Sequence, residues 1–260
     1  MESINLKQKS KDARLSILRL ANKSQKVGAH IAPSLSIVEI LTSVFSKYDR
    51  MFDAVVLSKG HAGLALYSAM QQYNLISKEQ LDTFEDNGGE FPGQPTKTST
   101  NGVIYSSGSL GLGLSYATGL AYAKKSKCEN GTIFVILGNG EMNEGTNYEA
   151  LMFIKYHNLS NICIIIDDNS MQSDGETSKI IDLDLNRVCK GFGFNVIECN
   201  GHNEDEICNS IDLSKNECTV IICKTIKGKG VSFMENNNEW HHNNLKDEQY
   251  ELAKNEVLNA

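Results

Sequence analysis

The 260 residues are 40% hydrophobic and 22% charged, enough to bury a substantial core in one large domain or two small ones. A net charge of -7 and the lack of a basic aromatic cluster argue against a nucleic-acid-binding surface, and no apolar run reaches bilayer-spanning length. The seven cysteines are scattered without a close C-x-x-C pair, which predicts buried free thiols in a reducing cytosol rather than a metal site or disulfide framework.

The N-terminus, MESINLKQKSKDARL, is polar and lacks the apolar centre of a signal peptide, so a cytoplasmic protein is expected. Apolar residues at helical spacing predict a helix over 4–23, and a glycine-rich turn then leads into a second helix over 35–46. Residues 52–58 read as a buried strand and 63–73 as the next helix. The stretch 87–109 is dense in Gly, Pro, Ser and Thr, which predicts a long ordered loop. A small-residue helix over 110–125 follows, then strands over 132–137 and 161–166. Strands over 194–199 and 219–225 enclose a helix over 204–211, and an amphipathic helix over 246–258 ends the chain. The strands are continuous apolar runs, the pattern of a parallel sheet covered on both faces. The expected fold is therefore α/β: a doubly wound, mainly parallel sheet with helices on both faces. Without a linker or internal repeat, residues 1–260 are expected to form a single domain.

The densest information lies between residues 138 and 169. A strand turns through Gly138, Asn139 and Gly140 into a carboxylate-rich helix, and a second strand ends on Asp167, Asp168 and Asn169. The intervening helix lets the two strands run parallel, so Asn139 and Asn169 should project from the same carboxyl edge, where open α/β sheets bind ligands. Two oxygen-bearing amides beside a glycine turn and a helix N-terminus suit a hard cation holding a diphosphate.

A glycine-acid-glycine turn followed about thirty residues later by asparagine resembles the thiamine diphosphate motif. The blocks GAHIAPSLSIVEIL, LSKGHAGLALY, SSGSLGLGLS and TIKGKGVSFMENNNEWHH occur around it in order, and together they resemble the N-terminal half of transketolase over nearly the whole chain. The resemblance implies the thiamine diphosphate-binding fold, with thiamine diphosphate and Mg2+ or another divalent cation as cofactors. The metal would be shared by Asn139, Asn169 and the carbonyl of Met171. Asn139 stands where the family usually has aspartate, which removes one negative charge from the site. An ordinary turn residue, chosen for tolerance of left-handed backbone, is the plainer account of Asn139.

Further implied cofactor contacts are His61, Gly108, Ser109, Leu110, Gly138, Gly140 and Glu141, although Ser109 could equally be a plain helix cap. His30, His61 and His242 correspond to histidines around the thiazolium and substrate, and Glu144 to a carboxylate network between subunits. These four are the expected catalytic residues, while His30, Gln94 and His242 are the expected substrate contacts. Gln94 replaces the histidine of the family's GHP triplet, and glutamine exchanges no proton at neutral pH. With Ser173, another departure, it places sugar specificity in question. The KGKG turn, 227–230, reads as a phosphate site or as a solvated turn. His157 and His202 are expected to be helix-end and loop residues.

In the resembled family the pyrimidine-contacting glutamate sits on a second domain, which has no counterpart in these 260 residues. The resemblance therefore implies, as partner, a separate C-terminal transketolase subunit in an α2β2 assembly. The pair would transfer a two-carbon ketol unit between sugars or sugar phosphates, without nucleic acid or membrane partners. Two alternatives remain: a thiamine-dependent decarboxylating synthase, and a cofactor-free scaffold subunit disabled by Asn139.

Overall fold

A computed structural model describes residues 6–260. Helix α1 (Leu6–Lys23) buries Ala13, Ile17, Leu18, Leu20 and Ala21 along one side, as its apolar spacing requires. Ile4 and Asn5, expected in the same helix, lie outside the described residues. The single helix expected over 35–46 is instead two, α2 (Ile31–Leu35) and α3 (Val38–Lys47). The break falls where Ser36 Oγ donates to the Asp167 carboxylate at 2.7 Å and Ile37 leaves helical geometry at φ -112°. Strand β1 (Ala54–Leu57), helix α4 (Gly63–Gln72) and the short α5 (Lys78–Leu81) follow.

The long loop before the next helix is ordered by Asn101, which is fully buried. Its Nδ2 donates to the carbonyls of Glu90 (3.1 Å) and Thr96 (2.8 Å), and its Oδ1 accepts from the backbone of Thr98 and Val103. One amide thus satisfies four backbone groups that a sheet would otherwise satisfy. Helix α6 (Leu112–Ser126) starts two residues later than expected. Its N-cap is Gly111, left-handed at φ +83°, and not Ser109. The chain continues through β2 (Ile133–Gly138), α7 (Gly145–Tyr156) and β3 (Ile162–Asp168). Helices α8 (Thr177–Ile180) and α9 (Leu185–Gly191), which the hydrophobic pattern did not signal, lead to β4 (Asn195–Asn200). Helix α10 (Glu204–Leu213), β5 (Thr219–Lys224) and α11 (Asp247–Asn259) complete it.

The five strands form one sheet in the order β1-β2-β3-β5-β4, and every neighbouring pair is parallel. Alternate residues feed two cores. Phe134, Ile136, Ile165 and Ile221 pack under α1, α3, α4 and α10, while Val135, Leu137, Ile164 and Ile222 pack under α6, α7 and α9. β2, β3 and most of β5 are buried on both faces, as continuous apolar strands must be. β4 is the edge and departs from that pattern, with Asn195 and Glu198 exposed. At the carboxyl end, register brings Gly138, Asp167, Cys223 and Cys199 into one row across four strands.

Candidate functional site

The carboxyl ends of β1, β2, β3 and β5 converge on a cavity of about 130 Å3. Its floor is organised by Asp167, the last buried residue of β3, which is inaccessible to solvent. Lys59, 2% exposed beyond β1, forms an ion pair with this carboxylate. Ser36 Oγ (2.7 Å), Thr225 Oγ1 and Asn169 Nδ2 (3.0 Å) also donate to it. A buried carboxylate needs such partners to stay charged.

The same bonds orient Asn169. Its nitrogen faces Asp167 and Ser36, so its Oδ1 is the end left to accept, which it does from the Met171 N–H at 3.0 Å. Ser170, between them, takes a left-handed φ of +59° to close this turn. Asn139 is 5% exposed and hydrogen-bonds through its backbone N–H to the Asp167 carbonyl at 2.9 Å. Its own backbone is right-handed (φ -57°, ψ -43°), so tolerance of left-handed geometry is not why asparagine stands there. Its Nδ2 donates to Thr177 Oγ1 at 3.0 Å, and no bond within the described residues engages its Oδ1.

Glu141 lines the cavity too, yet both its oxygens are in use. It accepts from the backbone N–H groups of Gly111 (2.8 Å) and Gly138 (3.2 Å) and from Ser58 Oγ. Burial raises its pKa, and these three donors oppose the rise. Glu141 thus ties together the ends of β1 and β2 and the start of α6. Gly140 lets the Gln172 side chain approach closely: a Cβ there would lie 2.9 Å from Gln172 Cγ and would make that side chain shift.

Lys227 is 2% exposed, which rules out a solvated turn at that residue. Its Nζ donates to the Gln172 carbonyl and to Asn238 Oδ1, both at 2.8 Å. Burial and then Lys59 lower its pKa to about 8, against the pull of Asp167. Lys59 is compensated by Asp167; Lys227 has only neutral partners. Next to it lie His30, His61 and His241, with ring centroids 5.4 to 5.8 Å apart. Burial, with neighbouring histidines and lysines, lowers His30 to about 4, His241 to about 3 and His61 well below its ordinary value. All three are neutral at pH 7, able to donate and accept without adding to the cationic charge.

The cavity gathers His61, Leu110, Gly138, Asn139, Gly140, Glu141, Asn169 and Met171 from among the expected residues. His30 joins the imidazole cluster behind it. Gly108, Ser109 and Gln94 are exposed near its mouth, where Gln94 Oε1 stands 3.4 Å from the position of a Cβ on Gly108. Glu144 is exposed at the N-cap of α7. His242 is exposed and absent from the lining, but its ring packs edge-on against His30 with centroids 4.6 Å apart, while its neighbour His241 lines the cavity. His202 is more than a loop residue: its Nδ1 meets Glu39 at 3.0 Å, and its Nε2 accepts from the Ile226 N–H. Lys59, Asp167, Gln172 and His241 are the residues that sequence patterns left unmarked. Lys59 and Asp167 did carry a signal, as charged residues closing apolar strands.

Two buried polar atoms at the cavity, Gln172 Nε2 and His241 Nδ1, have no hydrogen-bond partner. With Lys227, they call for a guest rich in acceptors, and a diphosphate fits. A metal is a different case. Among the described residues no group of three or more His, Cys, Asp or Glu side chains could hold one. Asn139, Asn169 and the Met171 carbonyl offer only neutral oxygens, so a hard cation fits here when the guest itself brings anionic oxygens.

Fold and site together define an α/β domain that binds a coenzyme through its diphosphate. The family described as "Transketolase, thiamine diphosphate binding domain" matches residues 43–258. The chain is 34% identical to one of the subunits of an apulose-4-phosphate transketolase from Actinobacillus succinogenes, over 97% of this chain and 95% of that protein. It is 35% identical to a 6-deoxy-6-sulfo-D-fructose transketolase subunit of a Clostridium strain, over 86% of each. A transketolase structure from Campylobacter jejuni superimposes with a TM-score of 0.87 at 27% identity, covering 98% of this chain but only 43% of that one. The chain belongs to the transketolase family and carries its thiamine diphosphate-binding domain, and with it belongs to the thiamine-dependent ketol transferases.

Proposed function

We propose that residues 1–260 act as a single diphosphate-binding domain, the N-terminal half of a two-subunit transketolase, and that a separate C-terminal subunit completes each active site. The observation that carries this reading is the cavity itself, with an uncompensated Lys227 and two orphaned polar atoms facing oriented amides. When bound, thiamine diphosphate supplies the carbanion chemistry that breaks and forms the carbon–carbon bond. This chain's residues bind and orient. Lys227 and Gln172 would hold the diphosphate, Asn139, Asn169 and the Met171 carbonyl would hold Mg2+, and Gly108, Ser109 and Leu110 would contact the coenzyme. His30, His61 and His241 would hold substrate hydroxyls and move protons as neutral imidazoles, with His242, packed against His30, beside them. Gln94 contacts the sugar at the mouth, and Glu144 belongs to the interface between subunits.

The named relatives act on a sugar phosphate and a sulfonated sugar, and a phosphorylated or sulfonated ketose is the proposed donor class here. An α2β2 assembly in the cytoplasm completes the reading; no helix among the described residues is long and apolar enough to cross a membrane.

The deciding experiment is calorimetric titration of thiamine diphosphate, with and without Mg2+, into the chain combined with its partner subunit. The natural protein should bind in a Mg2+-dependent way. Asn139→Asp should tighten binding about tenfold, roughly 1.4 kcal/mol, by returning a charge to the metal. If only the aspartate variant binds, the scaffold reading replaces this one.

A further inference from the structure

The row of residues that runs from Gly138 through Asp167 ends in two thiols. Cys199 on β4 and Cys223 on β5 are register partners, and their sulfurs stand 3.6 Å apart with both cysteines reduced. Cys223 is inaccessible, whereas Cys199, on the edge strand, is buried with 8% of its surface still exposed. The bond to Cys223 favours the Cys199 thiolate and holds its pKa below the ordinary thiol value, against the effect of burial. A thiol-rich core explains a buried cysteine; it does not explain two facing each other next to the cofactor corner.

We propose that Cys199 and Cys223 form an oxidisable dithiol whose disulfide weakens diphosphate binding in the neighbouring cavity. The oxidant class is a hydroperoxide. The Cys199 thiolate attacks the peroxide O–O bond and becomes a sulfenic acid, and the released hydroxide takes up a proton. The Cys223 sulfur then displaces the sulfenic oxygen, which leaves as water. In sum, two thiols and one hydrogen peroxide give one disulfide and two waters, with two electrons passing from sulfur to oxygen.

The link to the cavity runs through the strand ends. Neighbouring strands sit about 4.8 Å apart, whereas a disulfide draws its two Cβ atoms to about 3.8 Å, so the bridge pulls β4 and β5 together at this point. Directly beyond Cys199, Gly201 N–H donates to the Lys224 carbonyl at 2.8 Å, and His202 Nε2 accepts from Ile226 N–H at 2.8 Å. Beyond Cys223, Thr225 donates to Asp167, and Lys227 lines the cavity. Movement of the β4 end therefore reaches both the Asp167 cluster and Lys227. A bridge made under such strain is readily reduced, as a reversible site requires.

The dithiol chemistry stands independently; its effect on binding rests on the cofactor reading above. The test treats the full chain with hydrogen peroxide, maps disulfides by peptide mass spectrometry, and titrates thiamine diphosphate with Mg2+ into the chain combined with its partner subunit before and after. A Cys199–Cys223 disulfide, an at least tenfold loss of affinity, and recovery with dithiothreitol are expected. Cys199→Ser and Cys199→Ala should bind like the reduced chain and keep their affinity in peroxide. Oxidation confined to other cysteines, such as exposed Cys128, overturns the proposal. So does a mapped disulfide without change in affinity, or equal loss in the Cys199 variants. A reduced pair of subunits that never binds cofactor overturns the functional reading instead, and the disulfide map still decides the dithiol chemistry.

Discussion

Four side chains from four separate segments donate to Asp167, and three of them, Ser36, Lys59 and Asn169, are themselves buried. Asp167→Asn leaves the Lys59 ammonium buried without its counter-charge, so about 3–5 kcal/mol of stability should be lost in urea unfolding. Pairing it with Lys59→Met removes the orphaned charge and should recover much of that loss. Lys227 makes a second prediction, this time in pH. Its pKa is lowered from 10.5 to about 8, so it is charged below that value and loses its proton as pH rises through it. Diphosphate affinity should therefore be full below pH 8 and fall above it, and Lys227→Met should abolish that fall in titrations across pH 7–10. The strand-end position of Asn139, Asn169 and the Gly138–Gly140 turn was legible in the sequence because such turn residues sit at fixed offsets from strand ends, whereas His61 was marked only through the family resemblance. His241 was not. Two adjacent histidines look alike in a sequence, and only the 3-10 turn over Asn238–Trp240 decides which ring enters the cavity.

At the level of elements, the approach of α6 to β1 depends on Gly113. A Cβ there would fall 2.4 Å from Ser58 Oγ and 2.7 Å from Ser58 Cα, and backbone cannot give way as a flexible side chain can. Gly113→Ala should cost about 1–3 kcal/mol by overpacking, read from the thermal midpoint. It should also weaken cofactor binding, because Ser58 is a donor to Glu141. The helix, strand and loop pattern was largely readable, since continuous apolar strands and helical spacing are local signals. The division of the second helix was not, because its cause is a bond from Ser36 to Asp167, 131 positions away. Nor was the strand order, in which β4 lies outside β5: lateral order depends on which face each crossover helix covers.

Across the whole molecule, the cavity at the carboxyl edge of the sheet is small, and it is lined by polar and apolar groups alike. Its volume of about 130 Å3 is under half the ~300 Å3 at which pockets for small organic ligands begin. Lys227 and the orphaned Gln172 amide gather at this cavity, whose volume is too small to enclose the two rings of the coenzyme as well. If the chain recognises mainly the diphosphate, inorganic pyrophosphate with Mg2+ should bind it nearly as well as thiamine diphosphate, within about threefold. Once the second subunit is present, ring contacts become available to the coenzyme alone, and preference for it should rise by two or more orders of magnitude, about 2.7 kcal/mol. Competition calorimetry on the chain alone and on the reconstituted pair measures both ratios. Strong preference for the coenzyme in the chain alone would mean that the rings are already held here, and that the partner contributes chemistry rather than recognition.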